Sequence, residues 1–198
     1  MGLGNICGQN EGMKVAKKEL TTVKEVLFWS YANLAMAHSA VDKRQKKYTA
    51  LNYMIRAKLF KGLIDGKMNI GTMFDDEKIK LLSGSKCSYC GSTESLALDH
   101  IFPQKLGGKD AGDNLIYACK SCNSSKGKKD MMEWMDCKNV FPPLMILRRY
   151  LKLVIFYCIE NNLMTHSVGD MRDKGYPFNI EYLPTRYPKP CELVLVAE

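Results

Sequence analysis

Apolar residues recur at helical spacing through the first third of the chain. Leu20, Val23, Leu27, Tyr31 and Leu34 fall on one stripe that runs toward about Ala40, the recurrence that marks one buried face of a helix. Thr22-Val23-Lys24-Glu25 opens that stripe with the form of a capping box, in which a hydroxyl and a carboxylate satisfy the first N–H groups reciprocally. A second helix is expected from about Lys43 to Asp65, with Tyr48, Leu51, Ile55 and Leu59 on one stripe and Lys43, Lys47, Lys58 and Lys61 on an adjacent face. A Gly- and Asp-containing stretch then leads to a short helix around Glu77 to Leu82, and Ser83-Gly84-Ser85 marks a boundary.

The pattern changes after that boundary. Leu96-Ala97-Leu98-Asp99-His100 reads as an apolar strand ending in an acid and an imidazole, followed by a loop with Pro103, Gly107, Gly108 and Gly112. Asn114 to Ala118 returns as a second strand directly into Cys119. The polar, basic stretch from Asn123 to Asp130 runs into Met131 to Met135, which reads as a helix with its basic end outward. Pro142-Pro143 starts another helix from roughly Leu144 to Asn161. Its charges Arg148, Arg149 and Lys152 keep it far short of the ~18 uncharged residues of a membrane span, so it reads as a core helix. Four of the seven prolines lie in the last 22 residues, which predicts an extended tail with an edge strand at Glu192 to Val196. Residues 1–12 hold four glycines and no apolar period, and read as a loose tail. The fold class is therefore α+β and mostly helical, divided into an N-terminal helical region (1–82), a central unit (83–136) and a C-terminal helix with an extended segment (137–198).

Composition sharpens the reading only where it departs from the ordinary. Among 198 residues, 46% hydrophobic and 25% charged content excludes collagen-like and wholly disordered classes. Twenty-nine Lys plus Arg against 21 Asp plus Glu give a net charge of +8, which favours a polyanionic partner. No basic segment precedes an apolar run at the start, so a cytoplasmic protein without a membrane role is expected.

The eight cysteines divide by spacing. Cys87 and Cys90 form one C-x-x-C, Cys119 and Cys122 another, and two such pairs supply the four thiolates of a closed tetrahedral zinc site. A site with no open position is structural, and its binding energy of about 10–16 kcal/mol becomes folding energy. Cys7, Cys137, Cys158 and Cys191 are scattered and read as buried apolar residues. Between and behind the two knuckles lie strand, loop, strand and helix.

On these residues the chain resembles the HNH family of nucleases, whose core is the ββα-metal fold. The matching motifs are D-H-I-F-P-Q at Asp99 to Gln104, D-N-L at Asp113 to Leu115, and C-x-x-C-N-x-x-K-G at Cys119 to Gly127. They cover about a quarter of the chain. The resemblance implies that His100 is the general base, since an imidazole titrates near neutrality. It implies that Asp99 and Asn123 present oxygens to one catalytic divalent cation, and that Asn114 holds the loop that aims His100. Asparagine stands at the third signature position, making an H-N-N variant whose hard oxygen donors suit Mg²⁺ or Mn²⁺. Lys126, Lys128 and Lys129 are candidates for gripping flanking phosphates, as is the basic stripe Lys43, Lys47, Lys58 and Lys61.

The function implied is a DNA endonuclease that hydrolyses phosphodiester bonds with one metal. The expected form is a sequence-specific type II restriction enzyme acting on double-stranded DNA as a homodimer. The competing readings are a phage or mobile-element HNH nuclease or nickase, and a zinc-dependent nucleic-acid-binding protein without catalysis. Candidate dimer faces are the N-terminal helices and the Leu144 to Asn161 helix.

Overall fold

The computed structural model describes residues 20–82, 84–172 and 174–198; the glycine-containing tail, Cys7 and Ser83 lie outside them. The described residues form a mostly helical molecule with one small two-stranded antiparallel sheet. Helix α1 (Val23–Asp42) starts at the expected capping box: the Glu25 N–H donates to the Thr22 hydroxyl at 3.3 Å, and the Thr22 N–H donates to the Glu25 carboxylate at 3.2 Å. It is buried on more than one stripe, with Val23, Leu27, Ala32, Ala37 and Ala40 all inside. Helix α1 packs on α2 (Ala50–Ile64) and on α6 (Leu144–Glu160). One hydrophobic core joins α1 and α6 to the hairpin, to α5 (Met131–Cys137) and to the C-terminal segment.

Helix α2 departs from the expected span. It begins at Ala50, not Lys43, because Lys43 caps the end of α1 and Arg44 adopts a positive φ of 51°. The chain re-enters a helix at Thr49, whose N–H and hydroxyl both donate to Asn52 Oδ1 at 2.8 Å. The expected stripe is also rotated: Asn52, Phe60 and Leu63 are buried, whereas Leu51 faces solvent. Lys43 and Lys47 therefore share no helical face with Lys58 and Lys61, although all four are exposed. Helix α3 runs over Met73–Leu82, longer than expected.

The strands are β1 (Leu96–His100) and β2 (Leu115–Cys119), paired so that Leu96 faces Cys119 and His100 faces Leu115. The basic stretch after β2 forms two helices rather than one. Helix α4 (Lys120–Lys126) ends at Gly127, whose φ of +54° is one that a side chain disfavours, and Asp130 then caps α5.

No edge strand forms at Glu192 to Val196. Pro190–Glu192 is a single tight turn. Beyond it the carbonyls of Val194 and Leu195 accept the N–H groups of Leu144 and Met145 at 2.9 and 3.0 Å. Pro143 gives α6 no side-chain cap, so the C-terminal segment satisfies its orphan donors instead. Helix α6 is core along most of its length, which removes it as a candidate dimer face. Of the scattered cysteines Cys158 is buried, but Cys137 and Cys191 are exposed. No helix of the described residues is long and apolar enough to cross a membrane.

Candidate active site and metal centre

The hairpin register sets out the site. Because Leu96 lies opposite Cys119, the second cysteine knuckle follows the base of the hairpin, and a backbone bond from Ser88 N–H to Tyr117 O at 2.8 Å draws the first knuckle to the same end. The Sγ atoms of Cys87, Cys90, Cys119 and Cys122 all lie within 4.8 Å of one another. A tetrahedral zinc with Zn–S bonds of about 2.3 Å separates its sulfurs by roughly 3.8 Å, and Cys90 and Cys119 are 3.8 Å apart. Cys119 is also the N-cap of α4, accepting the Cys122 N–H at 3.5 Å. That donor lowers the Cys119 thiol to about 7, while burial raises the thiols of Cys90 and Cys122. The four cysteines thus fit the closed structural cage that their spacing predicts.

Asp99 and His100 end the other strand, three and four residues along from Leu96. Strand alternation sends neighbouring side chains to opposite faces, and here it sends the acid inward: Asp99 is buried while Leu98 is exposed. Both oxygens of the buried carboxylate have a donor. The Tyr89 hydroxyl donates to Asp99 Oδ2 at 2.7 Å, and Lys126 Nζ lies 3.3 Å from Oδ1 and 3.2 Å from Oδ2. Lys126 also donates to the His100 carbonyl at 2.7 Å. Burial raises the Tyr89 hydroxyl, which therefore keeps its proton and donates; burial lowers the Lys126 ammonium, and the neighbouring Asp99 carboxylate works against that shift.

Lys126 is only 1% exposed. It therefore does not grip flanking phosphate from the surface as expected; a buried cation needs a buried partner, and Asp99 is that partner. Lys128 and Lys129 are exposed.

His100 Nε2 lies 2.9 Å from Asp110 Oδ1. The Asn114 side chain spans the intervening loop: its Oδ1 accepts the Phe102 N–H at 2.8 Å, and its Nδ2 donates to the carbonyls of Phe102 at 3.0 Å and Lys109 at 2.8 Å. Gly108 lets that loop close, since a Cβ there would sit 2.1 Å from the Phe102 carbonyl oxygen. From below, the buried Arg149 of α6 donates to the carbonyls of Gly112 at 2.7 Å and Asp113 at 2.6 Å, and pairs with Glu77.

Asp99, His100 and Asn123 line a single open cleft, with Gln104, Lys105 and Lys128 at its rim. An ionised carboxylate has about four lone-pair sites, so Asp99 keeps acceptor capacity beyond its present donors. Asn123 lines the same cleft, and a carboxylate with an amide is a hard, oxygen-donor set of the kind that suits a small divalent cation better than a soft one.

Lys43, Lys47, Lys58 and Lys61 lie outside this cleft. Sequence reasoning missed Tyr89, Asp110 and Arg149. Arg149 alone left a signal, as a charge inside an otherwise apolar helical period. Asp110 sits in a glycine-rich loop where no period operates, and Tyr89 reads as any aromatic residue within a knuckle.

Residues 87–129 match the family model described as HNH endonuclease. The CRISPR-associated endonuclease Cas9 of Actinomyces naeslundii is 39% identical over 57 residues, which are 27% of this chain and 5% of that protein. The chain thus spans a small fraction of the length of the curated relative it matches. No solved structure matches the chain. The segment that matches the HNH endonuclease model holds β1, β2 and α4, the order of a ββα unit, and includes all four cysteines of the cluster.

Proposed function

We propose that the protein is a metal-dependent deoxyribonuclease that cuts double-stranded DNA, in the manner of a sequence-specific type II restriction enzyme working as a homodimer. The observation that carries the nuclease reading is the convergence of Asp99, His100 and Asn123 on one cleft, at the hairpin end away from the cysteine cage. An ionised Asp110 accepts only, so Nε2 of a neutral His100 carries the ring proton and Nδ1 keeps its lone pair. That nitrogen takes the proton of a water molecule as its oxygen bonds to phosphorus. The P–O3′ bond breaks, leaving a 5′-phosphate, and the 3′ oxygen leaves as a hydroxyl protonated from solvent. Asn114 fixes the loop on which the geometry of His100 and Asp110 depends.

Asp99 and Asn123 would hold the catalytic Mg²⁺ or Mn²⁺. When bound, the cation polarises the scissile phosphate and stabilises the leaving oxygen. Cys87, Cys90, Cys119 and Cys122 would hold a structural Zn²⁺. Residues 83–136 are the nuclease unit, residues 1–82 contribute DNA binding or dimerisation, and residues 137–198 brace the unit through Arg149 and the C-terminal segment. Lys128 and Lys129 contact phosphates next to the cleft, and Lys43, Lys47, Lys58 and Lys61 contact more distant backbone. A cytoplasmic location suits a restriction role.

The test is cleavage of plasmid DNA with Mg²⁺ by the purified zinc-loaded protein. His100→Ala is expected to retain zinc and fold while slowing cleavage by the roughly 10²–10⁴-fold that a general base contributes. Near-parental turnover by that variant removes His100 from the chemistry, and intact DNA with the parent leaves only the binding-protein reading.

A further inference from the structure

The HNH match ends at Lys129, but the surface depression it contributes to continues. The cleft bearing His100 and a neighbouring hollow share Lys128, and both touch the loop at Lys105 and Leu106. The far wall of the hollow comes from the C-terminal region, with Arg172, Lys174 and Tyr176. We propose that this hollow is a second nucleic-acid subsite, which carries the phosphate backbone of the cleaved strand beyond the scissile bond. The proposal rests on the nuclease reading and extends it to residues outside the matched domain.

The first argument is charge. Lys128, Lys129, Arg172 and Lys174 bring four exposed cations to one hollow. Three acids line the hollow as well, Asp130, Glu133 and Glu181, so the four cations outnumber them by one, and Glu133 is half-buried. Asp130 is buried and turned inward to the Tyr150 hydroxyl and the N–H groups that start α5. Glu181 holds Arg172 at 2.8 Å, but the two side chains are 51% and 63% exposed, and an exposed pair of that kind is a weak contact. A phosphate can displace it, since a guanidinium binds phosphate through two parallel N–H donors.

The second argument is shape and continuity. The ring of Tyr176 is nearly parallel to that of Phe178, with centroids 6.0 Å apart and planes 14° apart. Phe178 is buried, whereas Tyr176 is only partly so, so an aromatic ring is part of the wall of the hollow beside the cations. Cations along a groove with an aromatic platform form the usual arrangement for holding a polynucleotide strand. Because Lys128 belongs to both depressions, a strand whose scissile phosphate meets His100 is led into this hollow by its own continuity.

The experiment uses full-length zinc-loaded protein in the His100→Ala background, so that DNA is bound without being cut, and a fluorescent duplex of about 30 base pairs. The Arg172→Ala/Lys174→Ala double variant is expected to weaken binding and to reduce the slope of log affinity against log salt by about 2, the value for two lost phosphate contacts. Arg172→Lys/Lys174→Arg is expected to keep the parental slope. Lys67→Ala, an exposed lysine of another segment, serves as the control and is expected to change the slope by no more than the single contact it could lose. In the active background the double variant is expected to raise KM and leave kcat nearly unchanged. Parental affinity and slope in the double variant overturn the subsite, and so does equal loss in the charge-conserving pair, which would show that charge is not the cause. If the wild-type protein neither binds nor cuts duplex DNA, the nuclease reading fails; if it does both and the double variant matches it, only the subsite fails.

Discussion

Asp130 is 3% exposed, and its carboxylate collects the N–H groups of Met132 at 2.9 Å and Glu133 at 3.3 Å and the Tyr150 hydroxyl at 2.5 Å. Those donors favour the ionised form, yet burial outweighs them and lifts the carboxyl from 3.8 to about 6. The folded protein therefore keeps a proton that the unfolded chain releases above 3.8. This contribution to stability is fully present below that value and is lost as pH rises through about 6. Asp130→Asn should remove that dependence. Urea unfolding of both proteins at saturating zinc, across this pH range, should show the wild-type-minus-variant difference falling as pH rises, while zinc-ligand protonation, common to both, cancels. A difference that stays level across the window contradicts the assignment. The same contest between burial and partners explains what the sequence hid at Asp99. An alternating strand pattern assigns Leu98 to the inside and the acid to the outside; the structure reverses this, because Tyr89 and Lys126 satisfy the carboxylate where it lies. Neither partner is a neighbour of Asp99 in sequence, so no periodicity could announce them.

Local signals decided most of the elements, and the failures occur where a local signal competed with a cap. The box at Thr22 and the ends of α6 follow from adjacent residues and were legible, as were β1 and the four cysteines of the cage. The start of α2 was not: a run of lysines has no helical stop of its own, and only Arg44 at positive φ followed by the Thr49 and Asn52 cap reveals the break. The expected strand at Glu192 to Val196 was lost to a distant demand, the uncapped N–H groups of α6. At the metal cage, local and distant terms act together. Cys119 belongs to β2, caps α4 and faces Cys90, so one substitution strikes strand, helix and metal at once. Cys119→Ser should abolish stoichiometric zinc and lose helical circular dichroism, whereas Asn123→Ala should keep both and lose only Mg²⁺-dependent cutting. Elemental analysis with circular dichroism reads the two variants, and a folded, active Cys119→Ser protein without zinc would refute the structural cage.

One His100 and one Asp99–Asn123 pair per chain serve one phosphodiester bond, but a double-strand break requires two of opposite polarity. A two-fold dimer supplies both and matches a palindromic target by its own symmetry. The proposed dimer needs an apolar face not used by the core. Helix α6 exposes one large apolar side chain, Ile159 near its end, and α1 is largely enclosed. Helix α2, by contrast, presents Leu51, Tyr53 and Met54 at 51%, 46% and 65% exposure, the same residues that the expected stripe wrongly turned inward or left unassigned. Charged residues there would be solvated in a single chain but repelled and desolvated between two. Leu51→Asp/Met54→Asp should therefore leave zinc content and the rate of the first nick intact, while changing the DNA complex from two chains per duplex to one. On supercoiled plasmid the parent should give linear product directly, and the variant should accumulate open circles before linear DNA appears. Light scattering of the complex and the order of products read the same event independently. A parent that already binds as one chain per duplex and releases open circles first is a nicking enzyme, and α2 then has no role in pairing.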